Sequence, residues 1–274
     1  MINRDTDHQK RKEHVMGTRI KIMDLEVDIL SEETLRGEVA GYLSQDALNM
    51  IHLVSLDYID AYEKNDLVQD TLREADMVLP GEKAILSTYH VDVLETGGMV
   101  VDYRSAGRVA DRELLEGKKC YLVLKDQKEA RVVYRYLITH YPFMEIVGLY
   151  VAGKDVSQEA LINDINTKLP DLILLSMEDI QAEEWVHSNK LKINAKLCVV
   201  LSSVMNLIIR ENIHIPPVLK MFHLGGIYAC IARIPYSGFW RRRIFRKKMD
   251  NYNSKKLLEK ADVNEELSDE EERQ

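Results

Sequence analysis

Short apolar segments alternate with longer amphipathic segments from residue 120 to residue 201, and this alternation constrains the fold most strongly. The predicted strands are Cys120–Leu124, Glu145–Val151, Leu172–Leu175 and Leu197–Leu201, and the helices between them are Gln127–His140, Ser157–Leu169 and Asp179–Asn189. Strands joined through a helix pair in parallel and use right-handed crossovers. The pattern therefore predicts an α/β fold with a Rossmann-like, mostly parallel sheet and helices on both faces.

The first half of the chain predicts further elements of the same kind. Ile20–Ile29 predicts a β-hairpin or a strand with a turn near Asp24, and Ser31 is a suitable N-cap for the helix that follows it. The other predicted elements are a helix from Ser31 to about Leu43, a strand over Met50–Ser55, a helix from about Asp57 to Glu74 and a helix over Ser105–Glu116.

The chain divides into four predicted regions. Residues 1–17 are polar and charged and predict a disordered lead, and residues 18–215 form the α/β domain. Pro216 and Pro217 interrupt the strand–helix alternation and begin a C-terminal appendage, predicted to be helical and basic, over residues 216–250. Residues 251–274 form an acidic tail that is also predicted to be disordered.

Composition excludes several classes of protein. The 274 residues are 46% hydrophobic and carry a formal net charge of −8, which argues against a nucleic-acid partner. The three cysteines lie far apart without metal-ligand spacing, so no metal site is predicted. No signal peptide and no run of roughly 18 apolar residues is visible. We therefore expect a cytoplasmic protein whose membrane attachment, if any, is peripheral on the inner face of the cell membrane.

Aromatic and basic residues alternate in the C-terminal appendage. An amphipathic helix of this composition suits an anionic membrane surface, where each basic residue contributes about 1 kcal/mol. The alternative is a solvated helix that pairs with the acidic tail. The predicted membrane contacts are Phe239, Trp240, Arg241, Arg242, Arg243, Phe245, Arg246, Lys247 and Lys248.

Several short sequence motifs occur at defined places in this order of strands and helices. Leu72–Pro80 joins an acidic helix end to a short apolar strand, and the turn Gly81-Glu82 follows it. The other motifs are Thr96-Gly97, Tyr141-Pro142 before Ile146–Gly148, Pro170–Leu175, and Glu183-x-Trp185. From about Gly17 to Met249 the chain resembles the WecG/TagA/CpsF family of bacterial glycosyltransferases.

The resemblance implies a specific activity. Members of this family are inverting, metal-independent enzymes that need no cofactor. They move an N-acetylhexosamine from a UDP-sugar to a polyprenyl-diphosphate-linked glycan, in the synthesis of surface polysaccharide or teichoic acid. The sequence leaves open whether the chain forms a homo-oligomer.

Positions that carry this chemistry in the family differ in this chain. The catalytic aspartate of the family falls on Gly81, which has no side chain. The other departures are Leu53-Val54-Ser55 for Thr-Pro-Asn, Leu94 for an arginine, Leu124-Lys125 for Gly-Gly, Ala182 for a glutamine and Ser202-Ser203 for a glycine-rich turn. We therefore expect a transferase whose activity is weakened or lost, and the alternative is a non-catalytic binding or scaffold protein.

Two carboxylates are the candidate catalytic residues. Glu82 lies one residue beyond the aspartate position, and its alternative is a solvated loop residue; Glu183 follows the glutamine position and faces either the cleft or the core. The candidate substrate-binding residues are Ser55, Asp57, Thr96, Gly97, Lys125 and Trp185. Their structural alternatives are helix capping for Asp57, a simple turn for Thr96-Gly97 and core packing for Trp185.

Overall fold

A six-stranded parallel sheet forms the centre of the protein, and this confirms the predicted α/β fold. The computed structural model describes residues 18–88, 98–152, 158–211 and 243–256. A separate antiparallel hairpin consists of β1 (Thr18–Ile22) and β2 (Leu25–Ile29). The sheet has the order β4-β3-β8-β7-β5-β6, with β3 (Asn49–Val54), β4 (Met77–Pro80), β5 (Lys119–Leu124), β6 (Glu145–Val151), β7 (Leu172–Ser176) and β8 (Leu197–Val200).

Helices cover both faces of this sheet. Those of the first half are α1 (Glu32–Leu43), α2 (Leu56–Lys64), α3 (Asp66–Arg73), α4 (Lys83–Thr88), α5 (Tyr103–Val109) and α6 (Arg112–Leu115). Those of the second half are α7 (Gln127–His140), α8 (Gln158–Lys168), α9 (Asp179–Asn189), α10 (Ser202–Glu211) and α11 (residues 243–256). None of the helices in these described ranges is long and apolar enough to cross a bilayer.

Successive side chains of each strand point to opposite faces, as the two-residue period of a strand requires. Leu53, Leu79 and Leu122 point to the face that packs against α1, α5, α7 and α10, which we call the α7 face. Tyr121 and Val200 point to the other face, where α8 and α9 pack, which we call the α8 face. Both faces of the sheet are therefore buried, as expected for parallel strands.

Two predicted helices are each divided in the structure. Asn65 interrupts the helix predicted over Asp57–Glu74, because its backbone is extended and its side chain accepts hydrogen bonds from the N–H groups of Leu67 and Val68. Asp111 caps α6 in the same way and ends the helix predicted over Ser105–Glu116. Short polar side chains that bond to nearby backbone compete with a continuous helix.

The hairpin lies beside β4 at one edge of the sheet. Its turn, Met23-Asp24, has both residues in the left-handed region, at φ of 48° and 67°. Asp28 on β2 is buried, and its carboxylate accepts hydrogen bonds from the Arg19 side chain at 2.6 Å and the Val78 N–H at 2.8 Å. This carboxylate therefore connects the hairpin directly to the backbone of β4.

Helix α11 packs on the hairpin rather than standing free of the domain. Phe245, Met249 and Tyr252 are spaced so that they share one helix face, and they join the apolar cluster that contains the hairpin. Phe245 is only 4% exposed, whereas Ile244 is 58% exposed. Phe245, predicted to contact a membrane, is therefore occupied by contacts within the protein. The predicted contacts Phe239, Trp240, Arg241 and Arg242 lie outside the described residues.

Polar contacts at the hairpin turn reinforce this packing. The Asp24 carboxylate accepts a hydrogen bond from the Lys256 ammonium at 2.6 Å and another from the Tyr252 hydroxyl. These two donors, Lys256 first, lower the pKa of Asp24 from 3.8 to about 2. Because the folded-state pKa is below the unfolded value, this contact contributes stability above about pH 4, and the contribution disappears as the pH falls towards 2.

We expect Lys256→Met to raise the pKa of Asp24 towards 3.8, because the substitution removes the donor that lowers it most. A carboxyl-carbon NMR titration of Asp24 measures this directly. Lys247→Met, which removes an exposed cation from the same helix, is the matched control and leaves the titration unchanged. An Asp24 pKa that does not move in Lys256→Met would contradict the contact.

Candidate functional site

The carboxyl ends of β3, β4 and β8 meet at one edge of the sheet, where ligands bind in open α/β folds. The Gly81 N–H at the end of β4 donates to the Val54 carbonyl at the end of β3, at 2.7 Å. The hydroxyls of Ser55 and Ser203 are 2.7 Å apart and share a hydrogen bond. The structure thus brings together three of the positions at which this chain departs from the family it resembles.

Gly81 lies in a space that has no room for a side chain. A Cβ atom at this position would be 2.4 Å from Val204 Cγ2 and 2.6 Å from the Val54 carbonyl oxygen. The Gly81 carbonyl also accepts a hydrogen bond from the Tyr103 N–H at 3.1 Å. The aspartate that the resemblance places here would therefore need both α10 and the end of β3 to move.

Glu82 caps helix α2. One of its carboxylate oxygens accepts a hydrogen bond from the Leu56 N–H at 2.8 Å, and the side chain is half-buried. The first N–H groups of a helix have no partner within the helix, and a negative charge there also complements the helix dipole. This capping contact was not indicated by the sequence pattern, and the role of Glu82 as a base stays a prediction.

Glu183 is fully buried on α9 and also contacts α2. Its Oε1 atom accepts a hydrogen bond from the Tyr58 hydroxyl and lies 3.4 Å from Nδ1 of His52. His52 and Tyr58 are each only 1% exposed. Trp185, two residues further along α9, is 2% exposed and packs in the core, as its structural alternative predicted.

The N-terminal turn of α2 is therefore held from several sides. The Ser55 hydroxyl is its N-cap and accepts a hydrogen bond from the Tyr58 N–H at 3.2 Å. Glu82 accepts a hydrogen bond from the Leu56 N–H, and Glu183 accepts one from the Tyr58 hydroxyl in the same turn. Asp57 is exposed in this turn. The two candidate catalytic carboxylates thus both act on the position of one helix end.

Lys125 lies at the end of β5, separated from β3 by two strands. Its ammonium donates to Oδ1 of Asn206 on α10 at 3.2 Å and is 3.7 Å from Oε1 of Glu178. Nearby Glu129 is buried, and desolvation raises the pKa of its carboxyl. The sequence did not indicate Asn206 or Glu129, because both lie within ordinary amphipathic helix patterns.

An apolar cavity of about 650 Å³ lies on the α7 face of the sheet. Leu53, Leu79 and Leu201 line it just before the three strand ends that carry Ser55, Gly81 and Ser202. Tyr103 and Arg104 line it at the start of α5. A cavity of this size and composition can take the apolar part of a ligand beside the strand ends.

Within the described ranges, no group of three or more histidine, cysteine, aspartate and glutamate side chains could hold a metal ion. Cys120 and Cys198 are buried free thiols, and burial raises the pKa of each. Thr96, Gly97 and Leu94 lie outside the described residues, so their predicted roles stay predictions.

Comparison with known proteins identifies one family. The model described as "Glycosyl transferase WecG/TagA/CpsF family" matches residues 20–244, which is most of the chain. No curated protein matches the sequence.

Gly81→Ala is expected to destabilise the protein by about 2 kcal/mol, because the new methyl group would overlap Val204 and the Val54 carbonyl. Urea unfolding measures the change. Gly37→Ala is the matched control: Gly37 lies within α1 and has no atom within 4 Å of an added Cβ, so alanine stabilises there by about 1 kcal/mol. An unfolding free energy of Gly81→Ala equal to that of the parent chain would contradict the lack of room for a side chain at Gly81.

Proposed function

Because the chain belongs to the WecG/TagA/CpsF glycosyl transferase family, we propose that it acts in cell-surface polysaccharide synthesis as a UDP-sugar-binding member whose transfer activity is weakened or lost. The observation that carries the proposal is the enclosure of Gly81, the position of the family's catalytic aspartate, by Val204 and the Val54 carbonyl. The protein would then assist an active transferase or hold a lipid-linked sugar for it.

The chemistry of transfer explains why this enclosure matters. An inverting hexosaminyl transfer needs a base that takes the proton of the acceptor hydroxyl, and groups that stabilise the departing diphosphate. Gly81 supplies no base. Glu82 accepts from the Leu56 N–H with one carboxylate oxygen, and swinging the whole side chain away from this cap towards an acceptor would cost about 1 kcal/mol. Glu183 is fully buried beneath the Tyr58 hydroxyl and has no path to an acceptor in this arrangement.

Binding of the donor needs fewer groups than transfer does. In the proposed complex, Lys125 contributes positive charge for the diphosphate, which a metal-independent member must stabilise with side chains and backbone N–H groups. The exposed Asp57 offers a carboxylate for the sugar at the adjacent strand end, whereas Ser55 is fully buried and would act on the donor only by holding the start of α2 in place. Donor contact by Thr96 and Gly97 stays a prediction from the family resemblance, because both lie outside the described residues.

A second candidate is an active enzyme with rearranged machinery, in which Glu82 acts as the base. The observation that favours it is the place of Glu82, half-buried and directly after Gly81 at the carboxyl end of β4. A small displacement of α2 would release this carboxylate towards the cleft.

A panel of UDP-sugars, assayed by thermal shift and then by UDP release with a polyprenyl-diphosphate-linked acceptor, separates these candidates. We expect one or more UDP-sugars to raise the melting temperature while UDP release stays at the rate of the acceptor-free control. Turnover that Glu82→Gln abolishes would establish the rearranged enzyme, since glutamine keeps an oxygen that can accept from the Leu56 N–H. Glu145→Gln, at an exposed glutamate at the amino end of β6, away from the proposed site, is the control for a general loss of charge.

Helix α11 would contribute exposed basic side chains to the proposed membrane contact. Arg243, Arg246 and Lys247 are exposed, while Phe245 packs on the hairpin. We expect charge reversal of these three basic residues to lower the partition coefficient onto anionic vesicles, measured by co-sedimentation, by about a hundredfold, because each contributes about 1 kcal/mol near such a surface. Neutral vesicles and reversal of the exposed Lys119, Lys168 and Lys192 are the controls. Unchanged sedimentation would contradict a role for α11 in membrane contact.

A further inference from the structure

The α7 face of the sheet is covered least at its centre. Leu174 on β7 and Val199 on β8 lie opposite each other on the two central strands, and both side chains are only half-buried. Leu53, Leu79 and Leu122, which point to the same face, are at most 5% exposed. Because helices normally bury both faces of a parallel sheet, a partly open centre is unusual for this kind of fold.

The apolar cavity lies over this open centre and follows the strands. Leu174 and Val199 line it, and it extends from Leu197 at the start of β8 to Leu201 just beyond the end of that strand. At about 3.3 Å per residue, this is a length of about 13 Å. The helices α1, α5, α7 and α10 form its walls with the side chains of Leu35, Val39, Ala106, Val133, Leu137 and Met205.

The shape and lining of the cavity favour a hydrocarbon chain as its ligand. A sugar or a base placed over Leu174 and Val199 would lose its hydrogen bonds to water without replacement, because the surrounding side chains are apolar. A hydrocarbon chain loses no hydrogen bonds there and gains from burial. The volume of about 650 Å³ is in the usual range for ligand-binding cavities.

Charged side chains lie at the rim of the cavity, and most of them are positive. Arg104, Arg108 and Arg112 follow one another at intervals of four residues along α5 and α6, and all three are exposed. Asp111 is the one carboxylate in the described part of the lining, and it pairs with Arg36 on α1. The rim therefore favours a ligand whose exposed end is anionic.

Arg104 is the rim arginine closest to the candidate site. It follows Tyr103, whose N–H donates to the Gly81 carbonyl at 3.1 Å, and its guanidinium lies 5.8 Å from the centre of the Tyr103 ring. Arg108 instead donates to both carboxylate oxygens of Glu32, at 3.1 Å each. An arginine suits a diphosphate because its planar fork of N–H groups can bind two oxygens at once.

We propose that the cavity binds the apolar chain of an anionic lipid, with the diphosphate of the lipid at Arg104 and the isoprene units nearest to it over Leu174 and Val199. The assignment to an isoprenoid rests on the proposed function, in which the protein holds a lipid-linked sugar. The sugar would then lie at the carboxyl end of β4, beside Gly81, while the rest of the chain stays in the bilayer.

Calorimetric titration of the full chain with geranylgeranyl diphosphate tests the proposal. We expect saturable binding, and we expect Leu174→Trp to weaken it by about tenfold or more, because the larger side chain fills the cavity. Leu191→Trp is the matched control, since Leu191 is 80% exposed and lies outside the cavity. Thermal unfolding checks that both variants are folded. Absence of saturable binding, or equal effects of the two variants, would overturn the proposal.

A second pair of variants tests the position of the diphosphate. Arg104→Gln is expected to weaken binding of geranylgeranyl diphosphate by about tenfold and to leave binding of the uncharged geranylgeraniol unchanged. Arg131→Gln, at an exposed arginine of α7 outside the cavity, is the matched control. Equal effects of these variants would overturn the placement at Arg104. Hexadecyl diphosphate that binds as tightly as geranylgeranyl diphosphate would overturn the assignment to an isoprenoid.

Photo-cross-linking locates the chain without relying on any variant. A geranyl diphosphate that carries a benzophenone at its far end is expected to label β7, β8 or α7, and excess geranylgeranyl diphosphate should prevent the labelling. Labelling confined to α11 would overturn the proposal.

Donor binding is tested separately, because Ser55, Asp57 and Lys125 do not line the cavity. A chain that binds UDP-sugars but not the isoprenoid would overturn the cavity assignment and leave the proposed function in place. A chain that binds the isoprenoid in the cavity but no UDP-sugar would support the cavity assignment and contradict the proposed function.

Discussion

The attachment of one helix end, the N-terminal turn of α2, determines the arrangement of the whole strand-end region. The Ser55 hydroxyl caps the helix, Glu82 reaches it from the end of β4, and Glu183 reaches it from α9 through Tyr58. The Ser55 hydroxyl also contacts Ser203 at the start of α10. Four segments that are distant in sequence therefore share a single set of hydrogen bonds, and moving any one of them changes the shape of the cleft.

The sequence predicted the layout of the fold because periodic burial determines it. The hairpin, the strands from β5 to β8 and their crossover helices all followed from apolar spacing and turn residues. The division of a predicted helix at Asn65 was missed, since propensity alone does not show that a side-chain oxygen will take the N–H groups of the next helix.

Site residues were harder to predict, because their roles depend on contacts between distant segments. The sequence placed Glu82 after a strand, but only the pairing of β3 with β4 brings it to the Leu56 N–H. The burial of Glu183 beside His52 likewise depends on how α9 packs over β3 and β8, which periodicity does not specify. A family resemblance identifies such positions, and the geometry then shows what each side chain does in this chain.

Packing of α11 on the hairpin joins the two extremes of the described chain, residues 18–29 and 243–256. Phe245 and the hairpin cover each other's apolar surface, so neither is a dispensable extension. Removing residues 18–29 or residues 243–256 would expose the same cluster, and proteolytic cleavage of one segment would loosen the other. These two segments are made far apart in time during synthesis, and the core that they share can close only after residues 243–256 have left the ribosome.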